Sequence, residues 1–134
     1  MLHDGQVLTE NEQRLVEAAE NLVRSLPDGN DHTVSPAAMN AAGQIFTGVN
    51  VVHFTGGPCA ELVALGTAAA ANAGPLTTIV AAGDRGRGVL APCGRCRQVL
   101  LDLHPDVSVI LRDDDSELVS RPVSALLPHS YRAS

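Results

Sequence analysis

From Thr9 onward the apolar positions keep a helical rhythm: Leu15, Ala18, Ala19, Leu22, Val23 and Leu26 fall on one side, and Thr9-Glu10-Asn11-Glu12 has capping-box spacing at the start. Pro27-Asp28-Gly29 stops the run. Two apolar stretches follow, 33–39 and 44–52, around Asn40-Ala41-Ala42-Gly43, whose small turn-forming residues predict a hairpin. Gly56-Gly57-Pro58 comes next, and Pro58 suits the first turn of a helix over 59–73 that is alanine-rich, apolar all round and ended by Gly74-Pro75. A helix without a polar face predicts a buried central position.

The remaining pattern is shorter-ranged. The β-branched run 77–82 predicts a strand, 83–88 a loop with three glycines, and Val89-Leu90-Ala91 a strand end. A second core helix is expected over 93–103, broken by His104-Pro105-Asp106, then a strand over 107–111 and a short closing helix over 122–127. Strands alternating with helices predict an α/β fold whose sheet begins as a hairpin and turns parallel later. The chain has 134 residues, 45% of them hydrophobic, which suits one domain spanning 1–134.

Charge narrows the chemistry. The net charge is −6, aromatics make up 2%, and there is no lysine. Neither a basic track for phosphates nor platforms for base stacking is available, so a nucleic acid polymer is not the expected partner. The missing amine also excludes a Walker P-loop and Schiff-base catalysis. The N-terminus is acidic from Asp4 and lacks an apolar leader core, and no apolar window is long enough for a membrane span, which predicts a cytoplasmic protein.

The three cysteines all sit in two motifs, Cys59-Ala60-Glu61 and Pro92-Cys93-Gly94-Arg95-Cys96. An odd count with one CxxC argues against a disulfide framework and for reduced thiols. Three thiolates fill three corners of a zinc tetrahedron and leave the fourth for water, the arrangement of a catalytic ion, and a nearby non-ligating glutamate can then move protons. Cys59 and Cys93 in the first turns of two helices would gain thiolate stability from unpaired amides. Arg95 and Arg97 are candidate cations to offset three thiolates. Two other readings stay open: a structural zinc completed by His53 or His104, and a redox CxxC. The 83–88 loop, with Arg85 and Arg87, suits either an anion or plain solvation, and Asp113-Asp114-Asp115 reads as an exposed turn.

On these residues, together with Gly48-Val49-Asn50 and the run from Cys96 to Leu100, the chain resembles the cytidine deaminase superfamily, and 45–105 is similar to its blasticidin-type branch. The resemblance implies a three-layer α/β/α sandwich with a five-stranded mixed sheet, a likeness that extends to a homotetramer. It implies one Zn²⁺ per chain held by Cys59, Cys93 and Cys96, with Glu61 as the proton shuttle. It implies substrate contacts at Thr33, Asn50, Ala60, Arg87 and Tyr131, and hydrolytic loss of the ring amine from a small cytosine-containing molecule such as blasticidin S. Cytidine, deoxycytidine and other aminated heterocycles are the alternatives. The nucleoside branch has Asn-x-Glu where this chain has Asn50-Val51-Val52, so an acceptor for sugar hydroxyls is missing. His32 and Leu62 stand where that branch tends to have an aromatic and, in its three-cysteine forms, an arginine, which fits the blasticidin-type branch better. Unlike the latter, this chain has Val52 at an aromatic position and no tryptophan near its end.

Overall fold

Thr9 closes helix α1 (Glu10–Ser25) from both directions: its hydroxyl accepts from the Glu12 amide at 3.1 Å, and its own amide donates to Glu12 Oε1 at 2.8 Å. The capping box expected from the sequence is therefore formed. The computed structural model describes residues 8–132, so the acidic stretch around Asp4 and the last two residues of the tail lie outside the described residues.

Along the chain come β1 (Val34–Asn40), β2 (Ile45–Thr47), α2 (Ala60–Ala70), β3 (Leu76–Gly83), β4 (Gly88–Leu90), α3 (Gly94–Leu103), β5 (Ser108–Arg112), β6 (Leu118–Pro122) and α4 (Val123–Leu126). Five strands form the path β2-β1-β3-β5-β6, and β4 pairs with β3 off that path. Among the described residues only β3 and β5 run parallel. The expectation of a sheet that stays parallel after its opening hairpin is corrected by β6, which returns antiparallel along β5. Its five residues end in proline and carry little apolar signal, which an edge strand with one partner does not need. The β5–β6 turn is closed by Asp113, whose Oδ1 accepts from the amides of Asp115 and Glu117, each at 2.9 Å.

Strand alternation splits the core in two. Ala37, Met39, Val80, Ala82 and Ile110 point to the α1 side, where Leu15, Val16, Ala19 and Val23 meet them. Ala38, Ile79, Val109 and Leu111 point the other way, to Leu65 and Ala68 of α2, Leu100 of α3 and Val123 of α4. The layers are thus helix, sheet, helices. Burying one side chain such as Leu15 or Leu100 contributes about 1.5–3 kcal/mol.

Helix α2 departs from expectation in two ways. Its N-cap is Cys59, so Pro58 stands outside the first turn, and Asn72 turns the chain out with φ 56°, ahead of Gly74. It is also not enclosed: Ala60, Ala64, Leu65 and Ala68 are buried, whereas Gly66, Thr67, Ala69 and Ala70 are exposed. Alanine serves both faces because it favours helix and hides little surface. Strand β2 likewise stops at Thr47, since at Gly48 the chain lies so close to α2 that a Cβ would come within 2.7 Å of Val63 Cγ1.

Candidate metal centre and active site

Two helix beginnings face each other across one end of the sheet. Cys59 caps α2 (φ −66°, ψ 152°) and Cys93 caps α3 (φ −69°, ψ 169°), and neither side chain makes a capping hydrogen bond. They sit one position before the first turns anticipated from sequence. Their sulfurs are 3.6 Å apart, and fully buried Cys96, three residues along α3, brings a third, all within 4.8 Å of one another. The sulfurs of a zinc tetrahedron stand about 3.8 Å apart for bonds of ~2.3 Å, so this donor set fits zinc in both softness and spacing. His53 and His104 are not in the cluster. His104 Nδ1 instead accepts from the Leu76 amide at 3.0 Å at the far end of α3, and His53 Nδ1 accepts from the Thr55 amide at 3.2 Å.

Electrostatics at the cluster call for a cation. Burial raises the Glu61 carboxyl above its ordinary value, against the opposing effects of its own backbone amide and the Cys96 thiol, which donates to Glu61 Oε1 at 3.8 Å. Burial first, then the Glu61 charge and the neighbouring thiols, pushes Cys96 far up. Cys93 is pulled down: burial alone would raise it, but the amide and thiol of Cys96, the Cys59 thiol and the Arg95 amide outweigh that. Negative charge is therefore disfavoured at Glu61 and Cys96, though not at Cys93, and a positive ion held by the sulfurs would offset it. Arg95 Nη2 lies 3.7 Å from Cys59 Sγ, as expected of an offsetting cation. Arg97 does not: it donates to the Pro92 carbonyl at 2.9 Å and the Leu126 carbonyl at 3.1 Å, tying α4 to the start of α3.

Beside the thiols is an open pocket of about 180 Å³ lined by Val34, Asn50, Cys59, Ala60, Glu61, Leu90, Ala91 and Cys93. Larger clefts elsewhere carry none of the three cysteines. Of the expected substrate contacts, Asn50 and Ala60 line the pocket and Thr33 stands behind Asn50. Asn50 Oδ1 accepts from the Thr33 amide at 2.7 Å and the Val34 amide at 3.0 Å, and its Nδ2 donates to Thr33 Oγ1 at 2.9 Å. Arg87 is engaged in its own turn, with Nη2 2.9 Å from Asp84 Oδ1 and 2.9 Å from the Thr33 carbonyl. Tyr131 is 74% exposed and outside the pocket, its carbonyl accepting from Gln98 at 3.2 Å. Val34, Leu90 and Ala91 were not anticipated; for the last two the signal was their place immediately before Pro92-Cys93.

The approach to Cys59 is a tightly closed loop. The Val51 amide donates to the Pro58 carbonyl at 3.2 Å, and the Gly56 amide to the His53 carbonyl at 3.0 Å. At Gly57 a Cβ would fall 1.6 Å from the Val51 carbonyl oxygen, so no other residue fits this crossing. The loop presents Phe54, 95% exposed, and Val52, 52% exposed.

Sequence and structure comparisons converge. The family described as the cytidine and deoxycytidylate deaminase zinc-binding region matches residues 9–111. The blasticidin-S deaminase of Bacillus cereus is 30% identical over 133 residues, covering 92% of this chain and 94% of that one. The cytidine deaminase of Halalkalibacterium halodurans is 33% identical over 103 residues, covering 75% and 77%. Among solved structures, the cytidine deaminase of Burkholderia pseudomallei superposes with a TM-score of 0.73 at 30% identity, covering 92% of this chain and all of that one. That of Mycobacterium tuberculosis gives 0.73 at 26%, covering 90% and 96%.

Proposed function

The chain belongs to the cytidine and deoxycytidylate deaminase zinc-binding family, hydrolytic deaminases, and from that premise we propose that it removes the ring amine of a blasticidin-S-like aminoacyl nucleoside. The observation that carries this reading is a buried glutamate, Glu61, set against a three-sulfur cluster in a pocket that admits a ring but little more. At about 180 Å³ it is smaller than the ~300 Å³ at which pockets for whole ligands begin, so the rest of the substrate would lie along the rim. Val52, two residues after pocket-lining Asn50, offers no acceptor for a sugar hydroxyl, which disfavours plain cytidine. The relative named for blasticidin S matches over nearly the whole chain.

Zinc held by Cys59, Cys93 and Cys96 would supply a Lewis acid that makes water acidic near neutrality. Glu61, whose proton affinity burial raises, would take a proton from water, deliver it to the ring nitrogen, then take the proton of the newly added hydroxyl and pass it to the departing amine. One water oxygen is gained, one ammonia is lost, and the cytosine ring becomes a uracil. The Ala60 backbone would meet the ring edge, Asn50 would donate toward the substrate, and Arg95 would offset thiolate charge beside Cys59. We further propose that residues 1–134 act as one deaminase unit in a cytoplasmic homotetramer, in which exposed Tyr131 could serve a neighbouring pocket, and Arg87 an anionic group if it leaves Asp84.

Cytidine is the second reading, favoured by the cytidine deaminases among both curated relatives and solved structures. Ammonia release and the ultraviolet change of the ring, followed on zinc-replete protein with blasticidin S and cytidine in parallel, separate the two. Turnover of blasticidin S with little on cytidine is expected. The reverse ranking would transfer the assignment to the nucleoside, and inactivity on both with one zinc per chain would send the search to other aminated heterocycles.

A further inference from the structure

Asn50 is held from four directions before any substrate arrives. Its amide donates to the Val34 carbonyl at 3.2 Å, and its side-chain oxygen takes both the Thr33 and the Val34 amides. One side-chain N–H goes to Thr33 Oγ1. The fourth tie is His32 Nδ1, 2.8 Å from the Asn50 carbonyl oxygen. A carbonyl can only accept, so Nδ1 must carry the hydrogen, and it does so whether or not the ring is charged. A further rung from the Val52 amide to the Asp31 carbonyl at 2.9 Å completes a stitch between 31–34 and 50–52 at the start of β1.

An amide group has two acceptor sites and two donor hydrogens. With the oxygen filled twice and one hydrogen spent, Asn50 has a single N–H left, on a side chain that lines the pocket with Cys59 and Glu61. It can therefore recognise only an acceptor atom, and its usefulness depends on that hydrogen being held at one place. We infer that His32 is a positioning residue for substrate binding: by fixing the Asn50 backbone from outside the pocket, it aims the one free N–H of Asn50 at an acceptor on the substrate. This rests on the deaminase reading above.

The ring stands outside the pocket lining, so its removal leaves thiols, Glu61 and cavity walls in place. Losing one neutral hydrogen bond of this kind should raise KM about tenfold in His32→Ala, with kcat within about twofold and zinc content unchanged. His32→Asn, whose side-chain N–H can occupy the place of Nδ1–H, should restore most of the affinity. In Asn50→Ala the His32→Ala change should add nothing further, because both act through one contact. An unchanged KM in His32→Ala, a loss expressed in kcat or zinc, or additive effects in the double variant would each overturn the inference. Should the wild-type protein turn over neither blasticidin S nor cytidine, the substrate reading fails separately. The clamp is then judged by hydrogen exchange at the Val52 amide and the Asn50 side-chain amide, which must quicken in His32→Ala; unchanged exchange rejects it.

Discussion

Three helices in this chain start from nearly the same backbone. Thr9, Cys59 and Cys93 share an extended conformation, with φ between −66° and −69° and ψ between 152° and 169°. At α1 the cap side chain and Glu12 satisfy each other's backbone donors, and the helix is finished by its own residues. At α2 and α3 no side chain closes the first turn, and the cap atoms turn instead toward one another across 3.6 Å. A good cap contributes about 1 kcal/mol, so two of the three helices forgo a readily available stabilisation where their ends meet. The cap position serves stability where it is isolated and ligand binding where two such ends converge.

Giving α3 an ordinary cap is the severest intervention. Cys93→Ser is expected to lose zinc and to lower deamination on the order of a thousandfold or more, while the metal-free protein melts no lower than the metal-free parent. Metal analysis, ammonia release and thermal melts of both metal-free forms check this; retained zinc with activity would mean that Cys93 is not a ligand. Next comes Glu61→Gln, expected to cost roughly 10²–10⁴ in kcat with zinc still bound at one per chain. Zinc lost together with activity would assign Glu61 to the metal instead of the proton.

The converse change at the closed helix should touch stability and spare activity. Thr9→Ala removes the α1 cap and should lower stability by about 1 kcal/mol in a urea titration, with kcat/KM unaltered. A drop in activity would deny the separation between the two kinds of helix end. The smallest effect belongs to the far end of α3, where His104 must be neutral to accept the Leu76 amide. Burial lowers its folded-state proton affinity below the ordinary 6.5, so the unfolded chain binds the proton more readily. Its contribution is present above that value and is lost as pH falls below it. The urea midpoint of wild type minus that of His104→Gln should shrink from pH 7.5 to pH 5, and a difference that does not change with pH would refute it.

What could be read from the residues was local. The α1 cap is spelled in four consecutive positions, and the cysteine and glutamate spacings announce their chemistry within a turn of helix. Strand β6 escaped because a short edge strand with one partner carries no strong period. The start of α2 was misplaced by one residue because proline favours a first helical turn in general, whereas here the cap is Cys59. The engagement of Arg87 with Thr33 and of His32 with Asn50 joins positions 54 and 18 residues apart, and single-sequence patterns do not encode such pairings. For the same reason Arg97 looked like a partner of the thiols and is a strut for α4.

The crossing of Gly57 over the Val51 carbonyl has a consequence for anyone building variant libraries. A position where even a methyl would fall 1.6 Å from an oxygen has a permitted alphabet of one letter, so randomising residue 57 spends nearly every clone on broken loops. Diversity aimed at new substrates is better placed at its exposed neighbours Val52 and Phe54, which the fixed crossing carries as a rigid mount carries interchangeable tips.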